Sequence, residues 1–344
     1  MIRFECDYLE GAHPKILELL TKTNFEQTPG YSTDIYCEKA RSIIRKKCNL
    51  PDCDVHFLVG GTQTNTTVIA SILRPYQGVL CANTGHINVH ETGAIEATGH
   101  KVMPILSDDG KITAKNIQDA YDAHFNDPTA EHMVQPAMVY ISHPTENGTL
   151  YSKSELEEIS HLCGKLNLPL FLDGARLGYG LTAEGSDLKL EDIAALCDVF
   201  YIGGTKAGAL FGEAVVITNP NLKKDFRYFI KQNGGMLAKG RLLGIQFLAL
   251  LEDDLYFKIT GHANKLALKI RDAFLEKGCS IRYESVTNQQ FPILHNDYIE
   301  KLKENYAFCF WEKVDENHAA VRFCTSWATK EEDVEKLVAH IQQL

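Results

Sequence analysis

Short apolar runs alternate with longer amphipathic segments between residues 55 and 217 of the chain. Runs of this length, separated by helical periods, are typical of strands buried on both faces of a largely parallel sheet. Seven runs fit this description and are predicted to be strands: 55–59, 78–82, 101–106, 136–142, 168–173, 198–203 and 212–217. The pattern therefore predicts an α/β domain, whose functional groups should gather at the carboxyl ends of its strands.

The segments between these runs have the period of helices. Residues 62–74, 88–99 and 113–125 each read as helical, and Ser152 with Glu155 forms an S-x-x-E capping box that opens a further helix. The strand and helix patterns thus alternate along the chain, as a parallel sheet with crossover helices requires.

The pattern changes at about residue 250, where a long helical segment leads into four short apolar runs resembling a small antiparallel sheet. Thr329 and Glu332 are predicted to form a second capping box, ahead of a last helix with a buried stripe. We therefore expect a large domain at 21–249, a small α+β domain at 250–344, and an N-terminal segment, 1–20, packed beside the small domain.

The amino-acid composition of the chain argues against several classes of function. The chain has 344 residues and a formal net charge of −10, which argues against a nucleic-acid surface and against an anionic membrane as partner. It has no apolar stretch long enough to span a membrane and no secretory signal pattern. Its ten cysteines are scattered without a CxxC pair, which indicates free thiols and a cytoplasmic location.

Four groups of candidate functional residues follow predicted strands or lie close to them. Gly60, Gly61 and Thr62 open a helix and could bind a phosphate, although a Gly-Gly turn is often only a turn. Asp173 ends a strand, where a carboxylate either caps a helix or pairs with a protonated ring nitrogen. Lys206 lies in the glycine-rich segment 203–212, where it is either solvated or available for a Schiff base.

The fourth group contains His86 and His90, separated by the i, i+4 spacing of metal ligands on a helix. No third ligand is apparent, so His86 is more simply explained as a ring that stacks on a flat cofactor or as a structural histidine. Residues 178–183 match G-x-G-x-x-A, but the match begins five residues beyond the strand end, which disfavours a dinucleotide site.

Taken together, the phosphate-binding turn, the imidazole, the carboxylate and the lysine are the set that pyridoxal 5'-phosphate (PLP) requires. The phosphate needs an anchor, the pyridinium nitrogen needs a carboxylate, and the aldehyde needs an amine. PLP is therefore the predicted cofactor, with Lys206 as its covalent attachment point.

The chain also resembles the low-specificity L-threonine aldolases, which have the aspartate-aminotransferase fold (fold type I). The matching blocks run over nearly the whole chain in the order of the family: GGTQTN, TGHINVHETGA, FLDGARLG, FYIGGTKAGALFGEAVV, GGMLAKGRLLGIQF and RFCTSWAT. The resemblance implies an α/β, PLP-dependent transferase-like fold with a large, mostly parallel-sheet domain and a small C-terminal α+β domain.

The resemblance also implies roles for individual residues. Lys206 would carry PLP, Asp173 would pair with its ring nitrogen, and Gly61 and Thr62 would hold its phosphate. The other implied contacts are His86 stacked on the ring, Arg176 at the ring hydroxyl or the substrate, and Arg322 at the substrate carboxylate.

Several positions depart from the pattern of the family. Cys6 stands where many relatives have a serine that contacts the substrate carboxylate, and Leu237 stands where some have an arginine. Lys231 is a candidate to contact a phosphate instead, in its own or a neighbouring subunit. His132 lies near the place of a second active-site histidine.

The implied reaction is the cleavage of L-threonine, L-allo-threonine and related β-hydroxy-α-amino acids to glycine and an aldehyde. His86 is the first candidate for the base that removes the hydroxyl proton, and His132 or a water molecule is the second. The alternatives are β-elimination or transamination on the same scaffold, or a non-catalytic relative. Relatives commonly build the active site between subunits, so we expect a homodimer or a tetramer of dimers.

Overall fold

A seven-stranded sheet forms the centre of the larger part of the molecule in the computed structural model, which describes residues 1–344. Its strands are β2 (Asp54–Leu58), β3 (Gln77–Ala82), β4 (Lys101–Ile105), β5 (Gln135–Ser142), β6 (Leu170–Asp173), β7 (Val199–Gly203) and β8 (Glu213–Ile217). They lie in the order β2-β8-β7-β6-β5-β3-β4, and only β8 runs antiparallel to its neighbours. The predicted α/β fold with a mostly parallel sheet is confirmed.

Each central strand is buried on both faces because alternate side chains enter different cores. In β7, Phe200 and Ile202 join a cluster of 41 buried residues on one side of the sheet, whereas Val199 and Tyr201 join one of 18 residues on the other. This two-sided burial explains why the strands are continuous apolar runs in the sequence.

Helices cover both faces of the sheet. They are α1 (Pro14–Lys22), α2 (Ile35–Lys47), α3 (Gly61–Ile72), α4 (His86–Val89), α5 (Ala94–Ala97), α6 (Ala114–Phe125), α7 (Lys153–Leu166), α8 (Leu177–Leu181), α9 (Leu190–Leu196), α10 (Phe226–Gln232) and α11 (Arg241–Leu251), with short 3₁₀ turns at Ala130–His132, Pro220–Leu222 and Glu252–Asp254. No helix is both long enough and apolar enough to cross a membrane.

The predicted capping box at the start of α7 is present. The Ser152 hydroxyl accepts a hydrogen bond from the Glu155 amide, and the Glu155 side chain accepts one from the Ser152 amide. The single helix predicted over 88–99 is wrong, because Thr92 and Gly93 both have positive φ angles (52° and 70°) and separate α4 from α5.

The C-terminal part of the chain forms a second, smaller sheet packed on helices. Its elements are α12 (Leu255–Glu276), β9 (Ser280–Ile281), β10 (Gln289–Gln290), β11 (Pro292–His295), α13 (Asn296–Lys303), β12 (Tyr306–Ala307), β13 (Cys309–Lys313), β14 (His318–Cys324) and α14 (Glu331–Gln342). β14 pairs antiparallel with β10, β11 and β13. The predicted capping box before the last helix is wrong: Lys330 is the N-cap of α14, and the Thr329 hydroxyl accepts the Ser326 amide instead.

The N-terminal segment is shared between the two parts of the molecule. β1 (Ile2–Arg3) pairs with β12, and Phe4 is buried in the core of the small sheet. Ile16 of α1, in contrast, is buried in the larger core of the central sheet. The chain between them therefore crosses from one part to the other, and it carries Asp7 and Tyr8 past the carboxyl edge of the central sheet.

Candidate active site

A cavity of about 560 Å³ lies where the carboxyl ends of the central strands meet the small sheet. The segments that follow β2, β5, β6 and β7 supply Thr62, Glu146, Arg176 and Lys206 to its wall. Arg322 comes from β14 on the opposite side. Polar groups that are far apart in sequence converge here because parallel strands end at one edge.

Asp173, the last residue of β6, lies buried behind this cavity with 5% of its surface exposed. Its Oδ2 accepts the Tyr140 hydroxyl at 2.6 Å, and its Oδ1 accepts the Tyr201 hydroxyl at 2.5 Å and the Ala175 amide at 2.9 Å. Burial alone would raise the pKa of Asp173, but the charge of His86 and these hydrogen bonds outweigh it, so the pKa lies below its usual range. Asp173 is therefore an ionised carboxylate at neutral pH.

His86 begins the short helix α4 and lines the cavity. Its Nδ1 lies 2.7 Å from Oε1 of the buried Glu91, and the same oxygen accepts the Asn65 amide group at 2.7 Å. Asn65 also donates to Oδ2 of Asp173 at 3.2 Å, so one network connects the two carboxylates. Burial lowers the pKa of His86, but the hydrogen bond to Glu91 and the charges of Asp173 and Glu91 more than compensate, and the pKa is raised.

This network also bears on the metal-site alternative for His86 and His90. Their ring centroids are 5.6 Å apart, but Nδ1 of His86 is already bonded to Glu91. No group of three or more His, Cys, Asp or Glu side chains in the structure could hold a metal ion.

Lys206 lies on the loop after β7, and close backbone contacts require glycine at the two positions that open this loop. A Cβ atom at Gly203 would come within 2.4 Å of the Ala175 carbonyl oxygen, and one at Gly204 within 2.7 Å of the Gly212 oxygen. The side chain extends into the cavity, where Nζ lies 5.8 Å from the centroid of the Tyr8 ring. The glycines therefore bring the amine to the strand end.

A buried carboxyl group supports the lysine loop from behind. Glu213 accepts the Thr205 hydroxyl at 2.8 Å and the Gly204 amide at 3.0 Å. Burial raises the pKa of Glu213 to about 8, although the charge of Lys206 acts in the opposite direction. The two hydrogen bonds tie the loop that carries Lys206 to β8.

Arg176 is held by a bidentate ion pair with Asp7. Its Nε lies 2.7 Å from Oδ2 of Asp7 and its Nη2 lies 2.9 Å from Oδ1, while Asn288 donates to Oδ2 at 2.9 Å. The Asp7 side chain is fully buried, and burial alone would raise its pKa. The charge and hydrogen bonds of Arg176 are the main influence in the other direction, and the pKa of Asp7 is lowered. Asp7 thus fixes the direction in which Arg176 meets the cavity.

Arg322 is the cation on the side of the small sheet. Its Nη2 donates to the Glu5 carbonyl at 2.9 Å and its Nη1 to Gln289 Oε1 at 3.3 Å. The guanidinium carbon lies 5.5 Å from the centroid of the Trp311 ring, and Nε is buried without a hydrogen-bond partner. This arginine has donor capacity left for a ligand carboxylate.

The first turn of α3 contributes Gly61 and Thr62 to the cavity. Gly60 is the N-cap of this 12-residue helix, and no side chain caps it. A Cβ atom at Gly60 would meet no atom within 4 Å, so open space surrounds this turn. The uncapped amides of α3 are therefore suited to an external anion such as a phosphate.

Besides Asp173, which lies behind the wall, three predicted site residues do not line this cavity. His132 is exposed in the 3₁₀ turn before β5, and so lies at the amino edge of the sheet, on the side away from the cavity. Lys231 lines a separate surface cavity with Tyr31 and Tyr228, and its Nζ lies 5.1 Å from the Tyr31 ring centroid. Cys6 precedes Asp7 but is not part of the cavity wall.

The structure adds residues that the sequence analysis did not assign: Tyr8, Glu146, Gln289 and Trp311 in the wall, and Asp7 behind it. Glu146 could have been predicted from the sequence, since it follows the predicted strand 136–142 by four residues and so lies near its carboxyl end. The others come from the N-terminal segment and the small sheet, and their proximity to the cavity depends on how the two parts pack.

Several solved structures share this architecture. An aspartate aminotransferase variant from Thermus thermophilus superposes with a TM-score of 0.73 at 13% identity, covering 100% of this chain and 92% of that chain. A putative L-allo-threonine aldolase from Listeria monocytogenes gives 0.74 at 17%, with coverage of 100% and 96%. At these identities the likeness shows the fold alone, which is the aspartate-aminotransferase fold (fold type I).

Three further comparisons identify the family. The family of β-eliminating lyases matches residues 32–297. A low-specificity L-threonine aldolase from Pseudomonas aeruginosa is 30% identical over 347 aligned residues, or 99% of this chain and 97% of the relative. A threonine aldolase structure from Leishmania major is 45% identical, with a TM-score of 0.97 and coverage of 100% and 99%. The chain belongs to the β-eliminating lyase family, in its group of low-specificity L-threonine aldolases.

Proposed function

We propose that this protein is a PLP-dependent aldehyde-lyase that cleaves L-threonine, L-allo-threonine and related β-hydroxy-α-amino acids to glycine and an aldehyde. The observation that carries the proposal is the pairing of Lys206 in the cavity with the ionised Asp173 behind it, at the ends of adjacent strands. The names of the relatives from Pseudomonas aeruginosa and Leishmania major support the reaction.

The residues around the cavity fit PLP. Lys206 would carry the cofactor, Asp173 would face its ring nitrogen, and the uncapped turn at Gly61 and Thr62 would take its phosphate. His86 would lie against the ring. When bound, PLP supplies an acceptor for the electron pair of a bond broken at the substrate α-carbon.

The chain itself would bind and orient the substrate. Arg322 would donate the second N–H of Nη1, beyond its bond to Gln289, to the α-carboxylate, and Trp311 restricts where that guanidinium can move. Arg176, fixed by Asp7, would contact the cofactor hydroxyl or the substrate. Holding the carboxylate at one point sets which bond to the α-carbon faces the electron acceptor.

The test is product analysis on the purified holoenzyme with L-threonine, L-allo-threonine and phenylserine. Glycine with acetaldehyde or benzaldehyde is the expected result, whereas pyruvate with ammonia would replace the proposal with β-elimination. Borohydride reduction followed by peptide mapping should place the cofactor on Lys206. Lys206→Ala should lose the visible absorbance and the activity, and the exposed Lys224→Ala is the matched control. A label on another lysine would refute the assignment.

We also propose that the protein acts as a homodimer, or as a tetramer of dimers, in the cytoplasm. Tyr228 is 77% exposed beside Tyr31 and Lys231, and such an aromatic patch with a cation at its rim is typical of an interface. Lys231 would then contact a phosphate in the neighbouring subunit. Light scattering after size-exclusion chromatography tests the oligomeric state, and a monomer at micromolar concentration would rule it out.

A further inference from the structure

Glu146 differs from every other acidic residue near the cavity. Asp173, Glu91, Asp7 and Glu213 all lie behind the wall, whereas Glu146 is the only carboxylate among the residues that line it. It stands on the loop after β5, four residues beyond Ser142, whose strand position pairs with Asp173. The cavity wall therefore carries one carboxylate among several cationic groups.

The two oxygens of this carboxylate have different surroundings. Oε1 accepts the Ser142 hydroxyl at 2.6 Å and the backbone amide of His86 at 3.0 Å. Those two bonds fix the side chain against the start of α4. Oε2 has no hydrogen-bond partner and is not among the buried unpartnered atoms, so it is open to the cavity. One oxygen is thus used to orient the group, and the other is available to a ligand.

His86 is poorly suited to accept a proton. Its Nδ1 is already bonded to Glu91, and that bond with the charges of Asp173 and Glu91 raises its pKa against the effect of burial, which favours the protonated imidazole. Burial raises the pKa of Glu146 above that of an ordinary glutamate, with the charge of Asp173 acting in the same direction. A carboxylate with a raised pKa is a better proton acceptor than an ordinary one.

We propose that Glu146 is the general base of the cleavage and binds the β-hydroxyl of the substrate through Oε2, an inference that rests on the proposed function. The hydroxyl proton passes to Oε2, and the O–H electron pair becomes the second bond of the aldehyde C=O. The Cα–Cβ bond breaks, its electron pair stays with the glycine fragment, and Cα then receives a proton. Amino acids that carry a hydrogen-bond donor at the β-carbon are the substrates this arrangement selects.

The decisive experiment compares two reactions of one holoenzyme. Cleavage of L-threonine needs the hydroxyl base, whereas exchange of a glycine α-proton in D₂O, followed by NMR, needs the same cofactor site but no β-hydroxyl. Glu146→Gln keeps the shape and the Oε1 acceptor, and should lower kcat for cleavage by about 10²–10⁴-fold. Glycine exchange should continue at the wild-type rate. Glu131→Gln, an exposed position, is the matched carboxylate-to-amide control.

Each outcome decides between the two proposals. A wild-type enzyme that releases no glycine from threonine refutes the proposed function and this inference with it. Normal cleavage by Glu146→Gln refutes only the role of Glu146. Loss of both cleavage and exchange also refutes the role of Glu146 as the base, because Glu146 would then support the cofactor site as a whole. Glu146→Asp, which retains a carboxylate, should recover part of the cleavage if the role is correct.

The cofactor-free protein gives a readout independent of activity. With ¹³C-labelled glutamate, the carboxyl resonance that disappears in Glu146→Gln should titrate above the ordinary value of about 4.3. A midpoint at or below that value would contradict the proposal. The titratable groups near Glu146 are His86, Asp173, Tyr140, Tyr151 and Cys81, and the same cavity is lined by His90, Arg176, Lys206 and Arg322.

Discussion

Breaking the ion pair between Asp7 and Arg176 should strongly lower the free energy of unfolding, even with a substitution that hardly changes the shape of the side chain. Asp7→Asn replaces one carboxylate oxygen by an amide that donates hydrogen bonds. Because both oxygens of Asp7 accept bonds from Arg176, and Oδ2 also accepts one from Asn288, either orientation of the new amide sets a donor against a donor. The substitution therefore breaks the pair without creating a cavity.

The size of the effect follows from burial. The Asp7 side chain is 0% exposed and that of Arg176 is 13% exposed, so removing the anion leaves a guanidinium that water can barely reach. Breaking a buried pair in this way costs about 3–5 kcal/mol, against a total stability of roughly 5–15 kcal/mol for a typical domain. We expect Asp7→Asn to lower the free energy of unfolding by that amount and to weaken the link between the N-terminal segment and the central sheet.

Urea unfolding of the cofactor-free protein, followed by circular dichroism, measures the loss. Asp119→Asn is the control, because the Lys115–Asp119 pair is exposed (80% and 61%) and should contribute almost nothing. The double variant Asp7→Asn with Arg176→Gln should be less destabilised than the sum of the single variants, since no buried cation is left. Additive losses, or an Asp7→Asn protein as stable as the wild type, would refute the reasoning.

Three further outcomes follow from the structure. Gly174→Ala should severely destabilise the protein, because its Cβ would lie 1.8 Å from the Tyr201 carbonyl oxygen. Gly164→Ala should instead stabilise it by roughly 0.5–1 kcal/mol, because this glycine is exposed in α7 and its Cβ would meet no atom within 4 Å. Thermal unfolding of the two variants tests both expectations. His132→Gln should leave kcat and KM for threonine unchanged, and a large loss would contradict its place at the amino edge of the sheet. The pKa of Asp7 is lower in the folded protein than in the unfolded chain, where it is about 3.9. Asp7 therefore stabilises the fold above a pH of about 3.9, and this contribution is lost as the pH falls through the folded-state pKa. Asp7→Asn should flatten that part of the pH–stability curve measured by urea unfolding.

The sequence pattern predicted the central sheet well because burial on both faces leaves continuous apolar runs. It also predicted that Lys206 and Asp173 would lie at the same edge of the sheet, since both lie at strand ends and parallel strands end at one edge. It did not predict that β8 runs antiparallel, because apolar content is the same for either direction. Nor could it resolve α4 from α5, where two positive φ angles interrupt an otherwise helical period.

The supporting residues behind the cavity were less predictable, for a different physical reason. Asp7 and Arg176 are 169 positions apart, and neither flanking sequence contains information about the other. Glu91 was visible beside His86 in the sequence, but its contact with Asn65 depends on how α3 packs against the loop after α4. His132 was assigned through the resemblance to the family, but it precedes β5 in the sequence and so lies at the amino end of that strand.

The cations and acids around the cavity are arranged in layers. His86 and Arg176 line the wall and are each bonded to an acid behind them, Glu91 and Asp7. A ligand therefore meets mainly the cationic partner, whereas the acid is screened from the cavity by the wall. The acid behind the wall still favours the charged form of its partner. A cation without such an acid would be disfavoured in a low-dielectric site. The layering explains how a chain with a net charge of −10 can offer a cavity suited to a phosphate and a carboxylate, since the field inside a cleft depends on which charges face it.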